Sequence, residues 1–120
     1  MGAGMTPDTF GLREAWLRSR SLAQTALKEA SERCEEHARA IAAYESAKAA
    51  KCLEMRADGV PVTFIHDIVD GVDPVNSRLL EKHMAEGKYK AAMKAIDVYR
   101  EDERMTYDEY RRSMQGDRWQ

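Results

Sequence analysis

Residues 12–56 contain neither proline nor glycine, and Ala, Leu, Glu, Lys, Arg and Gln dominate them. All six are good helix formers, so a stretch of this length without a breaker predicts one long helix, with residues 19–21 as the place for a bend. Its start is marked by Thr6-Pro7-Asp8: a hydroxyl that can cap, a proline preset for the first turn, and an acid suited to the positive end of the helix dipole. Apolar positions step by threes and fours through Trp16, Ala23, Leu27, Ala30, Cys34, His37, Ile41 and Tyr44, then drift to Ala47, Cys52 and Met55. The result is one narrow seam rather than a broad core face. Ala26, Ala40 and Ala43 lie beside it, so a partner helix can approach closely while each contact buries little area.

The chain changes character at residues 58–72, DGVPVTFIHDIVDGV. Gly59 and Pro61 should end the first helix, because proline pushes the residue before it towards an extended conformation. Val60, Val62, Phe64, Ile65, Ile68, Val69 and Val72 make this the most apolar stretch of the chain, which predicts a packed corner and not a solvated linker. Thr63 is placed to cap a short helix from Phe64 to about Asp70, with Gly71 as its left-handed stop. A two-strand reading of residues 60–65 is the weaker alternative. Replacing Phe64 and Ile68 by Ser is expected to unfold the corner whatever the ligand of the protein, at a cost of several kcal/mol.

Asp73-Pro74 repeats the opening grammar of cap and first-turn proline, and a second long helix should run to about Met114, with Gly87 its weak point. Its stripe reads Leu79, His83 or Leu80, Glu86, Tyr89, Met93, Ile96, Tyr99 or Arg100, Glu103, Tyr107, Tyr110 and Met114. Residues 115–120 contain Gly116 and are expected to fray, although Trp119 is an unusual side chain to leave in water. The fold class is therefore all-α. It is read as one helical domain over residues 1–120, a coiled-coil-like antiparallel hairpin of helices over about 7–56 and 74–114, closed by the apolar corner at 58–72. Two such faces cannot hide Trp16, Tyr44, Met93, Tyr107 and Tyr110 together, so either self-association, most simply as a homodimer, or an exposed groove for a partner is expected.

Charge narrows the function. Lys+Arg 19 against Asp+Glu 21 gives a formal net charge of -2, which provides no global positive field for nucleic acid. Asp58, Asp67 and Asp70 stand in the corner without basic neighbours in sequence. Residues 1–6 lack the basic start and apolar run of a secretory leader, and no later run is apolar enough to span a membrane. Cys34 and Cys52 lack the spacing of a zinc ribbon or redox dithiol, so a reduced, cytoplasmic protein is expected.

The residues offer little chemistry. A carboxylate-bridged metal bundle needs Glu-x-x-His on facing helices, yet His37, His66 and His83 are preceded at that spacing by Cys34, Thr63 and Leu80. Cys34-x-x-His37 would supply half a zinc site, with no second pair to close the tetrahedron. Both cysteines lie mid-helix, away from the loops that build nucleophile sites, and no glycine pattern cradles a phosphate. Paired acids such as Glu35-Glu36 and Asp102-Glu103 read as solvated helix faces. No metal, cofactor or catalytic residue is assigned, and the protein is expected not to be an enzyme.

Nucleic-acid binding is the alternative weighed. A short helix from Thr63, a turn at residues 70–72 and a helix from Pro74 imitate a helix-turn-helix, with Asn76, Ser77, Arg78 and Lys82 as polar contacts. Against it, Asp67 occupies a position that wants a small residue, and the corner aspartates would repel phosphate. Lys88, Lys90, Lys94, Arg100, Arg104, Arg111 and Arg112 interleave with Tyr89, Tyr99, Tyr107 and Tyr110, a pattern that can stack on a single strand. Asp97, Glu101, Asp102, Glu103, Asp108 and Glu109 sit among them, which favours a salt-bridged surface. Were nucleic acid the ligand, through Arg78, Lys82, Lys88, Lys90 and Lys94, charge reversal at the last three should abolish function.

The run KCLEMRADGVPVTFIHDIVDG from Lys51, followed by AEGKYKAAMKAI from Ala85 and an Arg/Trp-containing end, resembles a group of small helical proteins encoded by phages and prophages. In that group a Lys/Ala-rich helix meets a Gly-x-Pro-Val-Thr corner and then an Ala-Glu-x-x-Tyr-Lys-Ala helix; the likeness covers roughly residues 45–105. Here the Arg/Trp end is interrupted by Gly116, and the N-terminal extension has no counterpart. The resemblance implies an accessory role in the cytoplasm of a host cell. On that basis the chain is expected to bind a protein stoichiometrically, for instance as an inhibitor of a defence complex such as a CRISPR effector. The alternatives are a nucleic-acid-binding accessory of phage recombination or replication, and an oligomeric helical scaffold. Trp16, Phe64, Ile68, Tyr89, Tyr99, Arg100, Tyr107 and Tyr110 are the expected partner-binding residues, since aromatics beside arginines are common hot-spot chemistry.

Overall fold

A computed structural model describes residues 7–119, with side chains over 7–116. It is built from α1 (Pro7–Ala57), α2 (Val62–Ile68), a 3-10 turn (Val69–Gly71) and α3 (Val75–Trp119), with no strand among the described residues. The all-α class holds, and the two-strand reading of residues 60–65 does not. The Thr6 cap and the Trp119 side chain lie outside the described residues. α3 runs beyond Met114 and through Gly116, because an isolated exposed glycine lowers helix stability without breaking the hydrogen-bond ladder.

Two compact units form, one from Met1–Ala30 with Ala92–Gln120 and one from Ser31–Ala91. A two-helix seam lets each residue touch only neighbours within a few turns, so its contacts cluster locally.

In the first unit the beginning of α1 lies antiparallel to the end of α3. Thr9, Ala23 and Ala30 are buried at multiples of seven residues and Ser19 and Ala26 fill the interleaved positions, which is the spacing of a coiled coil. Ala26, Ala30 and Ile96 form its small apolar cluster, with Ala92 against them. Hydroxyls fill the seam elsewhere: Thr9 and Ser113 share a hydrogen bond of 2.5 Å, and Ser19 donates to Asp102 at 2.5 Å. The register departs from the one read in sequence. Leu27, Cys34, Met93 and Met114 are exposed, while Ala26, Ala92 and Ser113 take the seam places. Close backbone approach selects the smaller neighbour at each choice of three or four residues, and the longer side chain is turned outwards.

The second unit holds the larger core. Tyr44, Met55, Ile65, Val69 and Val75 are buried together, with Ala47, Cys52, Val60, Ile68 and Leu79 packed around them. α1 ends in a Schellman motif, in which Val60 N–H donates to Met55 O at 3.0 Å and Gly59 N–H to Arg56 O at 3.0 Å. Gly59 adopts φ 87 there, a left-handed conformation that costs a glycine nothing. Val60 and Met55 then meet in the same cluster, the apolar contact that accompanies such a stop.

Two local expectations change. Pro61, with φ -60 and ψ 143, sits at the N-cap of α2, so Thr63 is inside the helix and caps nothing. Gly71 has no positive φ: α2 tightens into the 3-10 turn at Val69, which Val72 N–H closes at 3.2 Å, and that tightening drives Val69 fully out of water. Phe64 is 54% exposed, whereas Ile65 is 2% exposed, so serine at Phe64 does not strip the corner as sequence reading expects. Of Trp16, Tyr44, Met93, Tyr107 and Tyr110, Tyr44 alone is fully housed; Met93 and Tyr107 are exposed.

Ile65→Ala is expected to cost about 2–4 kcal/mol in urea unfolding, and Phe64→Ser no more than about 1 kcal/mol; equal losses would contradict this packing. A Cβ at Gly87 meets nothing within 4 Å, so Gly87→Ala should raise stability by about 0.5–1 kcal/mol, visible as a higher midpoint.

Candidate functional site

In the first unit an aromatic cluster gathers around Trp16. Tyr107 and Tyr110, one turn apart on α3, both reach its indole: Tyr110 stacks with centroids 5.7 Å apart and planes at 13°, and Tyr107 lies 5.1 Å away, tilted by 54°. Arg20, one turn after Trp16 on α1, places its guanidinium carbon 5.9 Å from the indole centroid. Arg100, Glu103, Arg104 and Tyr107 recur by threes and fours on one face of α3. With Trp16 they line an open recess of about 470 Å³.

The three arginines differ in their engagement. Arg104 grips Glu101 through two hydrogen bonds and lies 3.9 Å from Asp108. That pairing lowers the Glu101 carboxyl below its usual range and raises the Arg104 guanidinium, each through the hydrogen bond first and attraction second. Arg20 and Arg100 have no carboxylate within ion-pair distance among the described residues. Arg111 approaches Asp108 at 4.0 Å, and with Lys90 and Arg104 it is one of three late basic residues that pair with carboxylates among the described residues.

In the second unit a polar cluster ties the corner to α1. Tyr44 Oη donates to Asp70 Oδ1 at 2.7 Å, Lys48 Nζ donates to Tyr44 Oη at 3.1 Å, and Lys48 lies 3.6 Å from Asp70. Lys82 Nζ sits 4.7 Å from the Tyr44 ring centroid. Asp70, which lacks a basic neighbour in sequence, finds one through the fold. His37 stacks on Tyr89 at 6.0 Å, and Cys34 beside it in sequence is exposed. Among the described residues no three His, Cys, Asp or Glu side chains converge as metal ligands would.

Of the expected partner-binding residues, the fold brings Trp16, Tyr107, Tyr110 and Arg100 together. Tyr99 is exposed on the same unit, and Tyr89 is engaged with His37 in the other. Phe64 is exposed, while Ile68 packs on the corner core. Of the nucleic-acid set, Arg78 pairs with Glu81 at 3.1 Å, Lys82 covers Tyr44, and Lys90 pairs with Glu86 at 3.1 Å. Lys88 and Lys94 are exposed. Arg20 and the Tyr44–Asp70 cluster were not singled out from sequence; the one available signal was spacing, since Arg20 and Lys48 each follow an aromatic residue by four.

No protein-family model, curated protein or solved structure matches the chain. Among the described residues no helix is long and apolar enough to cross a membrane.

The Tyr44 cluster has a pH signature. The hydrogen bond to Asp70, then burial, raises the Tyr44 phenol above its ordinary 10.0, and the hydrogen bond to Tyr44 raises Lys48 above 10.5. The folded chain therefore keeps protons that the unfolded chain releases above about pH 10. The stabilisation is complete below that pH and is lost as pH rises through the folded-state values. Tyr44→Phe should cost about 1 kcal/mol at neutral pH and flatten the alkaline fall in melting temperature; an unchanged alkaline slope would contradict it.

Proposed function

We propose that the chain acts without catalysis, as a stoichiometric binder that seats a protein partner in the Trp16 recess. The observation that carries this reading is the open recess itself, where Tyr107 is 41% exposed against a half-buried Trp16 and two arginines stand at its edge. Tryptophan, tyrosine and arginine are the residues most enriched where binding energy concentrates, because each combines large contact area with a polar handle. Aromatic rings left in water lose the stabilisation of about 25 cal/mol per Å² that a partner's apolar surface would supply. The recess holds arginines and a single carboxylate, Glu103, with no nucleophile beside it. That composition supplies attraction and shape rather than bond breaking. The likeness of residues 45–105 to phage-encoded proteins adds the reading that the partner is a host complex, with a CRISPR effector as an instance.

A photo-crosslinking residue in place of Tyr107, compared with one in place of the exposed Arg39 of the other unit, tests this in the source cell. A discrete product with another protein at position 107 alone is expected. No product, the same product at both positions, or a product only with a second copy of the chain would overturn the reading.

A further inference from the structure

We infer that in the free protein a second copy of the chain covers the Trp16 recess, the two α3 helices lying antiparallel about a two-fold axis between Glu103 and Arg104. A partner then gains the recess by displacing a copy; that consequence rests on the reading of the recess as a docking site, whereas the pairing of copies does not. Met93, Arg100, Tyr107 and Met114 follow one another at steps of seven residues, so they share one side of α3, and all four are exposed in the first unit. Two-fold symmetry sets Met93 opposite Met114 of the second copy and lays Arg100 on the second copy's Tyr107 ring. Each contact is made twice, because an isologous interface repeats every pairing.

The recess carries charges of both signs, and they complement a second copy of themselves. Glu103 and Arg104 both line it. Across the axis Glu103 meets Arg104 of the second copy, and Arg104 meets the second copy's Glu103. Along residues 93–114 no acid then stands opposite an acid and no base opposite a base: Asp97 faces Tyr110, Glu101 faces Thr106 and Asp108 faces Tyr99. A parallel pair would instead set Arg100, Glu103 and Arg104 each against its own copy, with like charges opposed at all three. Arg104 bonds Glu101 through Nε and Nη2, and its Nη1 stands 3.9 Å from Asp108, too far for a hydrogen bond, so that nitrogen can turn to Glu103 of the second copy. The strip from Met93 to Met114 is about 30 Å long. One helix wide and extended by Trp16, it falls near the lower end of the range of about 1,200–2,000 Å² that stable interfaces bury. A pair of that size exchanges readily, as a site yielded to a partner requires.

Analytical ultracentrifugation of the full chain should show a monomer–dimer equilibrium with a Kd on the order of 1–100 µM. Glu103→Arg sets base against base across the axis and Arg104→Glu sets acid against acid, so each alone should weaken the pair by about tenfold or more. Mixed in equal amounts, the two variants bring opposite charges together at both places and should pair at least as tightly as the parent. A parent that stays monomeric at about 100 µM, a dimer that neither variant weakens, or a mixture no tighter than either variant alone would overturn the inference. A second measurement leaves the charges untouched: in a chain carrying Cys34→Ala and Cys52→Ala, Met93→Cys and Met114→Cys are made separately and treated with a short bismaleimide. Crosslinked dimer from the mixture alone is expected; dimer from either variant by itself, or from none, overturns the antiparallel pair. In the source cell, capture of another protein at position 107 by a chain that is monomeric when free defeats the inference and leaves the docking reading. Capture of the second copy alone does the reverse.

Discussion

Burial of Ile65, Val69 and Val75 against Tyr44 and Met55 is the interaction on which the rest of the fold depends, because a connection that reverses a long chain must be held by more than its own hydrogen bonds. Each fully buried side chain of this size contributes about 1.5–3 kcal/mol relative to exposure. An alanine in the seam of the first unit, worth about a methylene or two, contributes about 1 kcal/mol or less. The two units therefore differ in kind: one is held by a compact apolar cluster and the other by a thin line of small side chains.

A seam this thin needs something besides burial to fix its register. Alanine against alanine fits almost equally well after a shift by one heptad, since every step presents the same small surface. The hydroxyl and carboxylate pairs break that degeneracy. Ser19 meets Asp102 and Thr9 meets Ser113, and a slip would leave these part-buried polar groups without partners, at about 1–3 kcal/mol each. In the second unit Asp70 serves the same end, accepting from Tyr44 while Lys48 stands beside it, so the corner is anchored to one turn of α1. Polar contacts here select among arrangements that the apolar ones would tolerate alike.

This division explains which features were legible in the sequence. The span of α1, the stop at Gly59 and the buried corner rest on local chemistry, namely helix propensity, left-handed glycine and apolar density, and each can be read within a few residues. The choice between Ala26 and Leu27, or between Ala92 and Met93, rests on how near the opposite backbone comes, which no local window contains. A hydropathy reading favours the larger side chain at each choice, whereas a close seam admits the smaller one. Thr63 fails as a cap for a related reason: Pro61 already fixes the backbone at the N-cap, two residues earlier. Phe64 and Ile65 are apolar neighbours, and which of them turns inwards depends on the face that the short helix sets against Tyr44 and Met55, which no local window contains.

The Trp16 recess follows from the same geometry. Trp16 occupies a heptad position, seven residues after Thr9 and seven before Ala23, in a seam otherwise sized for methyl and hydroxyl groups. An indole is too large for that spacing and must emerge at the side of the helix pair. Tyr110 and Tyr107 partly cover it there, leaving one edge in water. Neighbouring positions show how α3 relieves crowding elsewhere, with Met93 and Met114 swung outwards in favour of small residues. Trp16 keeps its seam position, and the two tyrosines lie against the ring where it emerges. Arg100, Arg104 and Glu103 border the open side, so charges of both signs frame the ring surface that the seam cannot enclose.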